Sequence, residues 1–226
     1  MPVRRPKLHY QSVGGSLAST RLARPIYYES LLERDFFLTL DLHPAVESFE
    51  EQPIRVHWVD PSGMERIYVP DVLVRFRPER RFLGRPTKAP VIFELKFRDD
   101  LGKHWDSLKP KLRAGLHLAK QRGCNFKILT EQQIRGIALQ NAEFIRKHLH
   151  GQLDQDAASA IMRLVRMKSE VSAEELATSA SRTGRATQEV LDYVWALVAR
   201  GRLSVDLEFP ISPCSLVTMG WNDAEP

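Results

Sequence analysis

The sequence predicts a mixed α/β domain followed by a smaller, mostly helical domain. Between residues 25 and 150, short runs of β-branched and aromatic residues alternate with stretches in which apolar residues recur at a helical period. This alternation is typical of helices layered on a sheet. From residue 151 onward, small residues at helical spacing dominate, and two short extended segments follow. The expected limits are a basic N-terminal arm at 1–24, an α/β domain at 25–150 and a C-terminal domain at 151–226.

The first part of the α/β domain is predicted to hold one helix and three strands. Pro25 suits the first turn of a helix, and the residues after it have a helical period. Asp60-Pro61-Ser62-Gly63 is a strong turn signal between two strands. Pro70 cannot donate a ladder hydrogen bond, so we expect it at a bulge, an edge or a strand start. The predicted elements are a helix at 26–41 and strands at 46–59, 65–77 and 91–97.

Later elements follow from periodicity and from helix-end signals. Gly123 is expected just beyond a helix end, and Pro110 is expected to bend or split that helix. Trp105, Leu112 and Leu116 are predicted to be core residues of its apolar face. The predicted elements are helices at 103–122 and 138–148 around a strand at 125–130, then helices at 157–167, after Ser172 and at 187–200, and two short strands within 202–218. Three helices and a final hairpin give the outline of a winged helix.

Composition and charge narrow the function classes. The chain has 226 residues, 43% of them hydrophobic, and no apolar run approaches the ~20 residues of a membrane span. Two cysteines cannot form a disulfide framework, which favours a reducing cytoplasm. The net charge is +5 and is concentrated in residues 1–24 and 75–88. These clusters can neutralise phosphates, although a solvated surface loop is the alternative. In the second cluster the basic residues are Arg75, Arg77, Arg80, Arg81, Arg85 and Lys88.

The segment Glu94-Leu95-Lys96 is the first candidate for chemistry. Side chains alternate along a strand, so Glu94 and Lys96 point to one face while Leu95 points to the other. A charged pair in an apolar strand needs compensation. Asp71 lies in the preceding strand, and a hairpin would bring it beside this pair if the register allows. A structural salt bridge is the alternative explanation of Glu-x-Lys.

Two carboxylates on neighbouring strands and a strand carbonyl make a hard-oxygen site suited to Mg²⁺. The ligands in this hypothesis are Asp71, Glu94 and the backbone carbonyl of Leu95. Bound Mg²⁺ polarises a phosphodiester and lowers the pKa of an attacking water. Lys96 would position that water or stabilise charge that develops on phosphate.

Pro70-Asp71 with Glu94-Leu95-Lys96 resembles the PD-(D/E)xK nuclease superfamily. Together with residues 30–38 and 46–53, this pattern resembles TnsA, the endonuclease subunit of heteromeric transposases. The resemblance implies a restriction-endonuclease-like mixed sheet flanked by helices, plus a small C-terminal winged-helix domain. It assigns catalytic roles to Glu33, Asp71, Glu94 and Lys96, and adds Glu33 to the metal ligands. Glu29 and Glu33 are four residues apart, so a solvated helix face is the alternative for Glu33.

The resemblance also implies a reaction and partners. The chain would hydrolyse phosphodiesters at the 5′ ends of a transposon with Mg²⁺, or with Mn²⁺ as a substitute. The implied partners are transposon-end DNA, a transposase subunit that cuts the 3′ ends and a regulatory AAA+ ATPase bound by the C-terminal domain. A bacterial cytoplasmic location at the nucleoid follows, with no role for a membrane. Residues 170–200 are near-neutral to acidic, which favours protein contact over DNA contact there.

Two other functions stay open at this point. One is another nuclease of the same superfamily, such as a restriction or junction-resolving enzyme, which would not depend on a transposase. The other is a non-catalytic DNA-binding transposition adaptor, in which the α/β domain is a retired nuclease. The intact Asp71, Glu94 and Lys96 favour the enzyme, because a retired site has no need of two carboxylates and a lysine on its strands.

Overall fold

A computed structural model describes residues 13–78, 80–86, 88–181 and 186–222. Contacts divide the chain into two compact units. The first contains Arg24–Leu40, Ala45–Gly136 and the described residues before Thr20. The second contains Thr20–Ala23, Asp41–Pro44 and the described residues from Ile137 onward. These units differ from the domain limits expected at 24 and 150, which stay predictions. None of the helices within the described ranges is long and apolar enough to cross a membrane.

The first unit combines a four-stranded sheet, three two-stranded ribbons and helices. In chain order its elements are β1 (Gly15–Leu17), β2 (Ile26–Tyr28), α1 (Leu31–Leu42, as far as Leu40), β3 (Val46–Glu51), β4 (Val56–Val59), β5 (Glu65–Tyr68), β6 (Val72–Phe76), β7 (Arg81–Phe82), β8 (Arg85–Pro86), β9 (Val91–Leu95), α2 (Arg98–Lys103), α3 (Trp105–Gln121), β10 (Asn125–Leu129) and α4 (Glu131–Ile134).

The four-stranded sheet has the order β10-β9-β6-β3. Strand β9 pairs parallel to β10 and antiparallel to β6, and β6 pairs antiparallel to β3, so the sheet is mixed. Every residue of β9 is buried, as expected for an apolar run in a central strand. Phe93 of this strand packs edge-on against Phe36 of α1, with 5.3 Å between ring centroids. This mixed sheet flanked by helices is consistent with a restriction-endonuclease-like fold.

Helix α3 packs closely against the β4–β5 ribbon and β10. At Gly115 an added Cβ would lie 2.9 Å from the Tyr68 ring, so the helix backbone touches that ring directly. The buried face of α3 carries Leu112, Gly115 and Ala119. The prediction that Trp105 and Leu116 are core was wrong, since they are 42% and 39% exposed. Both lie off the face that the sheet covers.

The start of the first unit differs from the sequence prediction. A helix was expected from residue 26, but Ile26–Tyr28 pairs with Gly15–Leu17 as a strand, and α1 begins at Leu31. The Ser30 hydroxyl accepts the Glu33 backbone N–H at 3.2 Å, which caps the helix. β-branched and aromatic residues at 26–28 suit the strand better than the helix. Within the predicted N-terminal arm, residues 1–12 lie outside the described residues, and part of the remainder is strand β1.

Three further predicted elements, two strands and one helix, are each divided in the structure. The predicted strand at 46–59 is two strands, β3 and β4, and the one at 65–77 is β5 and β6, because β5 pairs with β4 alone while β6 joins the larger sheet. The predicted helix at 103–122 breaks at His104, and Pro110 lies inside α3 without splitting it. The basic loop contains the β7–β8 hairpin, whose turn residues Leu83 and Gly84 both have positive φ.

The second unit contains α5 (Ile137–Arg146), α6 (Gln155–Lys168), β11 (Val171–Ser172), α7 (Ala173–Ala180), α8 (Thr187–Ala199), β12 (Leu203–Val205) and β13 (Leu216–Met219). Its strands form an antiparallel sheet of order β11-β13-β12, against which the helices pack. The predicted cap is confirmed, because the Ser172 hydroxyl accepts the Glu175 N–H at 3.1 Å. Gly123 of the first unit and Gly201 of this one have φ values of 66° and 71°, as their predicted helix-ending positions require.

Candidate active site

Asp71 lies in the three-residue gap between β5 and β6, immediately after Pro70. Its backbone carbonyl accepts a hydrogen bond from Gln52 N–H at 2.8 Å. Its side-chain Oδ2 accepts the Leu95 backbone N–H at 2.6 Å, across to the neighbouring strand β9. Both the backbone and the side chain of Asp71 are therefore held by backbone N–H groups. Pro70 lies in the gap before β6, outside both strands.

The register of β6 and β9 brings the two carboxylates together. Val72 pairs with Phe93, so the next residues outward along the ladder are Asp71 and Glu94. Residues directly opposite each other on antiparallel strands share a face. The Lys96 ammonium is 3.0 Å from Glu94 Oε1 and 3.7 Å from Asp71 Oδ2. The structure therefore places Asp71, Glu94 and Lys96 in one cluster.

Glu94 is 1% exposed, and two residues that the sequence reasoning missed contact it. The Tyr68 hydroxyl donates to Glu94 Oε2 at 2.5 Å, and Lys111 Nζ lies 3.6 Å from Oε1. Lys111 also lies over the Tyr68 ring, 5.0 Å from its centroid, in a cation–π contact. Tyr68 comes from β5 and Lys111 from α3, so no short sequence spacing links either of them to Glu94.

Burial and charge shift the acid–base properties of the cluster. Burial, and then the negative charge of Glu94, raise the pKa of Asp71 to about 8, while Lys96 opposes the rise. Burial lowers the pKa of Lys96, but Asp71 and Glu94 outweigh it, and the net shift is upward. Burial followed by the charge of Glu94 also raises the pKa of Tyr68, which keeps its hydroxyl a donor. Two carboxylates that repel each other in a buried place are stabilised by any cation placed between them.

Glu33 has two sets of interactions. Its carboxylate accepts Glu29 N–H at 2.8 Å and the Ser30 hydroxyl at 3.2 Å, which caps the start of α1. Burial is the largest cause of a raised pKa for Glu33, and the positive charge of Lys96 opposes it. Glu33 also helps to raise the pKa of Asp71. The residue is therefore a helix cap that is electrostatically coupled to the cluster, and it is not a freely solvated side chain.

The oxygen atoms of the cluster converge on one positive charge. The Lys96 ammonium is 2.9 Å from the Leu95 carbonyl oxygen, in addition to its contacts with Glu94 and Asp71. Two carboxylates and a carbonyl are the hard oxygen donors that Mg²⁺ prefers, and Mg²⁺ commonly uses only one or two protein carboxylates. Within the described residues, no group of three or more His, Cys, Asp or Glu side chains could hold a metal ion. A metal here would therefore rest on this mixed donor set.

The predicted DNA-contact cluster occupies the β7–β8 hairpin and its flanks. Arg75, Arg80, Arg81, Arg85 and Lys88 are exposed, and Arg77 is half-buried. The hairpin connects the end of β6 to the start of β9, whereas Asp71 and Glu94 lie at the opposite ends of these strands. At about 3.3 Å per strand residue, the connection leaves the sheet more than ~10 Å from the carboxylates. DNA contact by these residues stays a prediction.

Residues 43–131 match the family described as TnsA-like endonuclease N terminal. The match supports a TnsA-type nuclease of DNA transposition. The matched range includes Tyr68, Asp71, Glu94, Lys96 and Lys111, while Glu33 lies outside it. A search of the curated proteins found no match.

Proposed function

We propose that this chain is the metal-dependent endonuclease subunit of a heteromeric transposase. In this proposal it hydrolyses phosphodiesters at the 5′ ends of a transposon during cut-and-paste transposition. The observation that carries the proposal is the convergence of Asp71, Glu94 and the Leu95 carbonyl on the Lys96 ammonium within the residues that match the TnsA-like family. A bacterial cytoplasmic protein that works at the nucleoid fits this role.

Asp71, Glu94 and the Leu95 carbonyl would hold Mg²⁺, with Mn²⁺ as a substitute and Glu33 as an additional ligand. When bound, the ion polarises a phosphodiester and makes water a stronger nucleophile at neutral pH. The fit rests on the donor chemistry of the cluster and on the raised pKa of Asp71, because a divalent cation relieves the repulsion between the two carboxylates. Carboxylates alone would repel a phosphate, so the positive charges of the site are essential to substrate binding.

The chain's own residues would orient and neutralise the reacting groups. The Leu95 N–H fixes the Asp71 carboxylate, and the Tyr68 hydroxyl fixes one oxygen of Glu94. Lys96 is 28% exposed, so its ammonium can reach both the buried carboxylates and a phosphate in solvent. There it would stabilise negative charge that develops on the phosphate oxygens, or orient the attacking water. Positioning of this kind supplies much of the barrier reduction in hydrolysis.

The second unit is proposed to be a winged-helix domain that contacts the regulatory AAA+ ATPase. The order α6-β11-α7-α8-β12-β13 and the sheet order β11-β13-β12 support this assignment. The other proposed partners are transposon-end DNA and the transposase subunit that cuts the 3′ ends.

The decisive experiment is strand-mapped cleavage of a transposon-end duplex with Mg²⁺ and the partner transposase. Asp71→Asn keeps the shape of the side chain and removes its charge, and we expect it to abolish the 5′-side nick while the 3′-side cut persists. The control is Glu47→Gln, which removes an exposed carboxylate from β3 of the same sheet. Unchanged 5′ nicking by Asp71→Asn would show that this cluster is not the nuclease site and would favour a non-catalytic adaptor.

A further inference from the structure

Gln52 has a backbone conformation that is unfavourable for its residue type and for its position. Its φ is 47°, in the left-handed region that glycine normally occupies. Pro53 follows it, and a residue before proline is ordinarily extended. Strand β3 ends at Glu51, so the strained residue comes directly after that strand. Such a conformation persists only where the surrounding structure enforces it, and residues of this kind concentrate at functional sites.

Two hydrogen bonds join Gln52 to Asp71 and to the residue that holds Glu33. The Gln52 backbone N–H donates to the Asp71 carbonyl oxygen at 2.8 Å. Its side-chain Nε2 donates to Glu29 Oε1 at 3.2 Å. The Glu29 backbone N–H donates in turn to Glu33 Oε2 at 2.8 Å. Gln52 therefore links the residue that precedes β6 to the first turn of α1, and it does so with the strained backbone and the side chain together.

The amide oxygen of Gln52 is buried, and no described residue donates a hydrogen bond to it. An ionised carboxylate can only accept, so the amide nitrogen has to face Glu29 and the amide oxygen has to face away from it. A glutamine with a packing role alone is expected to pair both ends of its amide, because an unpaired buried acceptor destabilises the folded chain. The strained φ and the unpaired oxygen thus both favour a functional role for this residue.

We propose that Gln52 is a positioning residue that holds Asp71 and Glu33 in the relative placement that a metal ion requires. The inference rests on the proposed function, in which Asp71 and Glu33 are metal ligands. Mg²⁺ demands near-ideal octahedral geometry, so its ligands have to be well placed before it binds. Gln52 touches both carboxylate residues only through the backbone of Asp71 and through Glu29, and it does not supply a ligand itself. Groups that orient metal ligands in this way commonly change metal affinity by about ten- to a hundredfold.

The test replaces Gln52 by glycine, which adopts a φ of 47° without strain, keeps the backbone N–H and loses the amide. The matched control is Leu83→Gly, since Leu83 has a φ of 49° but lies in the β7–β8 turn. Binding of Mn²⁺ to the full chain is measured from the electron paramagnetic resonance signal of the free ion. We expect Gln52→Gly to weaken Mn²⁺ binding at least about tenfold and Leu83→Gly to leave it unchanged. The Tm of Gln52→Gly should not fall, because relief of backbone strain offsets the lost hydrogen bond.

A second measurement needs no metal. The Leu95 N–H donates to Asp71 Oδ2 at 2.6 Å, and such a charge-assisted bond moves the amide proton resonance downfield. In the metal-free chain, Gln52→Gly should move the Leu95 resonance upfield, and Leu83→Gly should not.

Three results would overturn the inference. The first is an Mn²⁺ affinity in Gln52→Gly equal to that of the native chain. The second is a Tm that falls together with the affinity, because Gln52 would then act only in stability. The third is an unchanged Leu95 resonance. If the native chain bound no Mn²⁺, the metal dependence in the proposed function would fail, and the Leu95 resonance would still decide whether Gln52 positions Asp71.

Discussion

Removal of the Tyr68 hydroxyl should weaken the first unit, because the buried Glu94 carboxylate would lose a charge-assisted hydrogen bond. The bond is 2.5 Å long, and its two partners are 6% and 1% exposed, so water cannot readily replace the hydroxyl. A hydrogen bond to a charged group contributes about 1.5–3 kcal/mol, and we expect Tyr68→Phe to lower the free energy of unfolding by about 2 kcal/mol. The remaining contacts of Glu94 with Lys96 and Lys111 limit the loss.

The second unit offers a matched control for this change. Tyr193 donates to Glu189 at 2.5 Å, but Glu189 is exposed and four residues away on the same helix. Water can replace that bond, so Tyr193→Phe should cost only about 0.5 kcal/mol or less. Hydrogen exchange measured by mass spectrometry reports each unit separately. Peptides from β6 and β9 should exchange about thirtyfold faster in Tyr68→Phe. Protection of these peptides equal to that of the native chain would refute the argument.

Two further predictions concern Glu33 and the metal. Glu33→Gln keeps an oxygen that can cap α1 but removes the charge felt by Asp71, so 5′ nicking should fall at least about tenfold with little loss of stability. Ser30→Ala should lower the free energy of unfolding in urea by about 1 kcal/mol and leave nicking intact. If Glu33→Gln instead lowered the stability and left nicking intact, Glu33 would act only as a helix cap. Mg²⁺ at a hundredfold excess over its Kd should stabilise the native chain by about 2.7 kcal/mol in a thermal melt. Asp71→Asn should lose this gain, and an equal gain in that variant would place the metal elsewhere.

Site residues could be predicted from the sequence where a strand pattern relates them, and could not be predicted where only tertiary packing brings them together. Alternation along one strand put Glu94 and Lys96 on the same face, and the expected antiparallel pairing of the two strands made Asp71 a neighbour. The register stayed open in the sequence, because nothing local fixes it. Tyr68 and Lys111 could not be predicted from the sequence. They contact Glu94 only because the β4–β5 ribbon and α3, which lie far from β9 along the chain, pack beside it.

The fold was predictable where a single residue type dictates the backbone. Gly123 and Gly201 ended helices as expected, because glycine readily adopts the positive φ required there. The predicted start of α1 was wrong because Pro25 was interpreted as a residue of the first helical turn. The true signal is Ser30 followed three residues later by Glu33, which is the same pattern that correctly located α7.

The gap between β5 and β6 has a consequence for how the cluster assembles during folding. Tyr68 ends a two-stranded ribbon, and Asp71, three residues later, immediately precedes β6 of the larger sheet. The hydroxyl and the carboxylate are therefore delivered to Glu94 by one short stretch of chain that has to satisfy two separate pairing partners. A slip in either pairing by one residue would turn its side chain to the other face. The cluster can therefore form only when the β4–β5 ribbon and the four-stranded sheet have both folded in register. A partly folded chain would lack the geometry that DNA cutting requires.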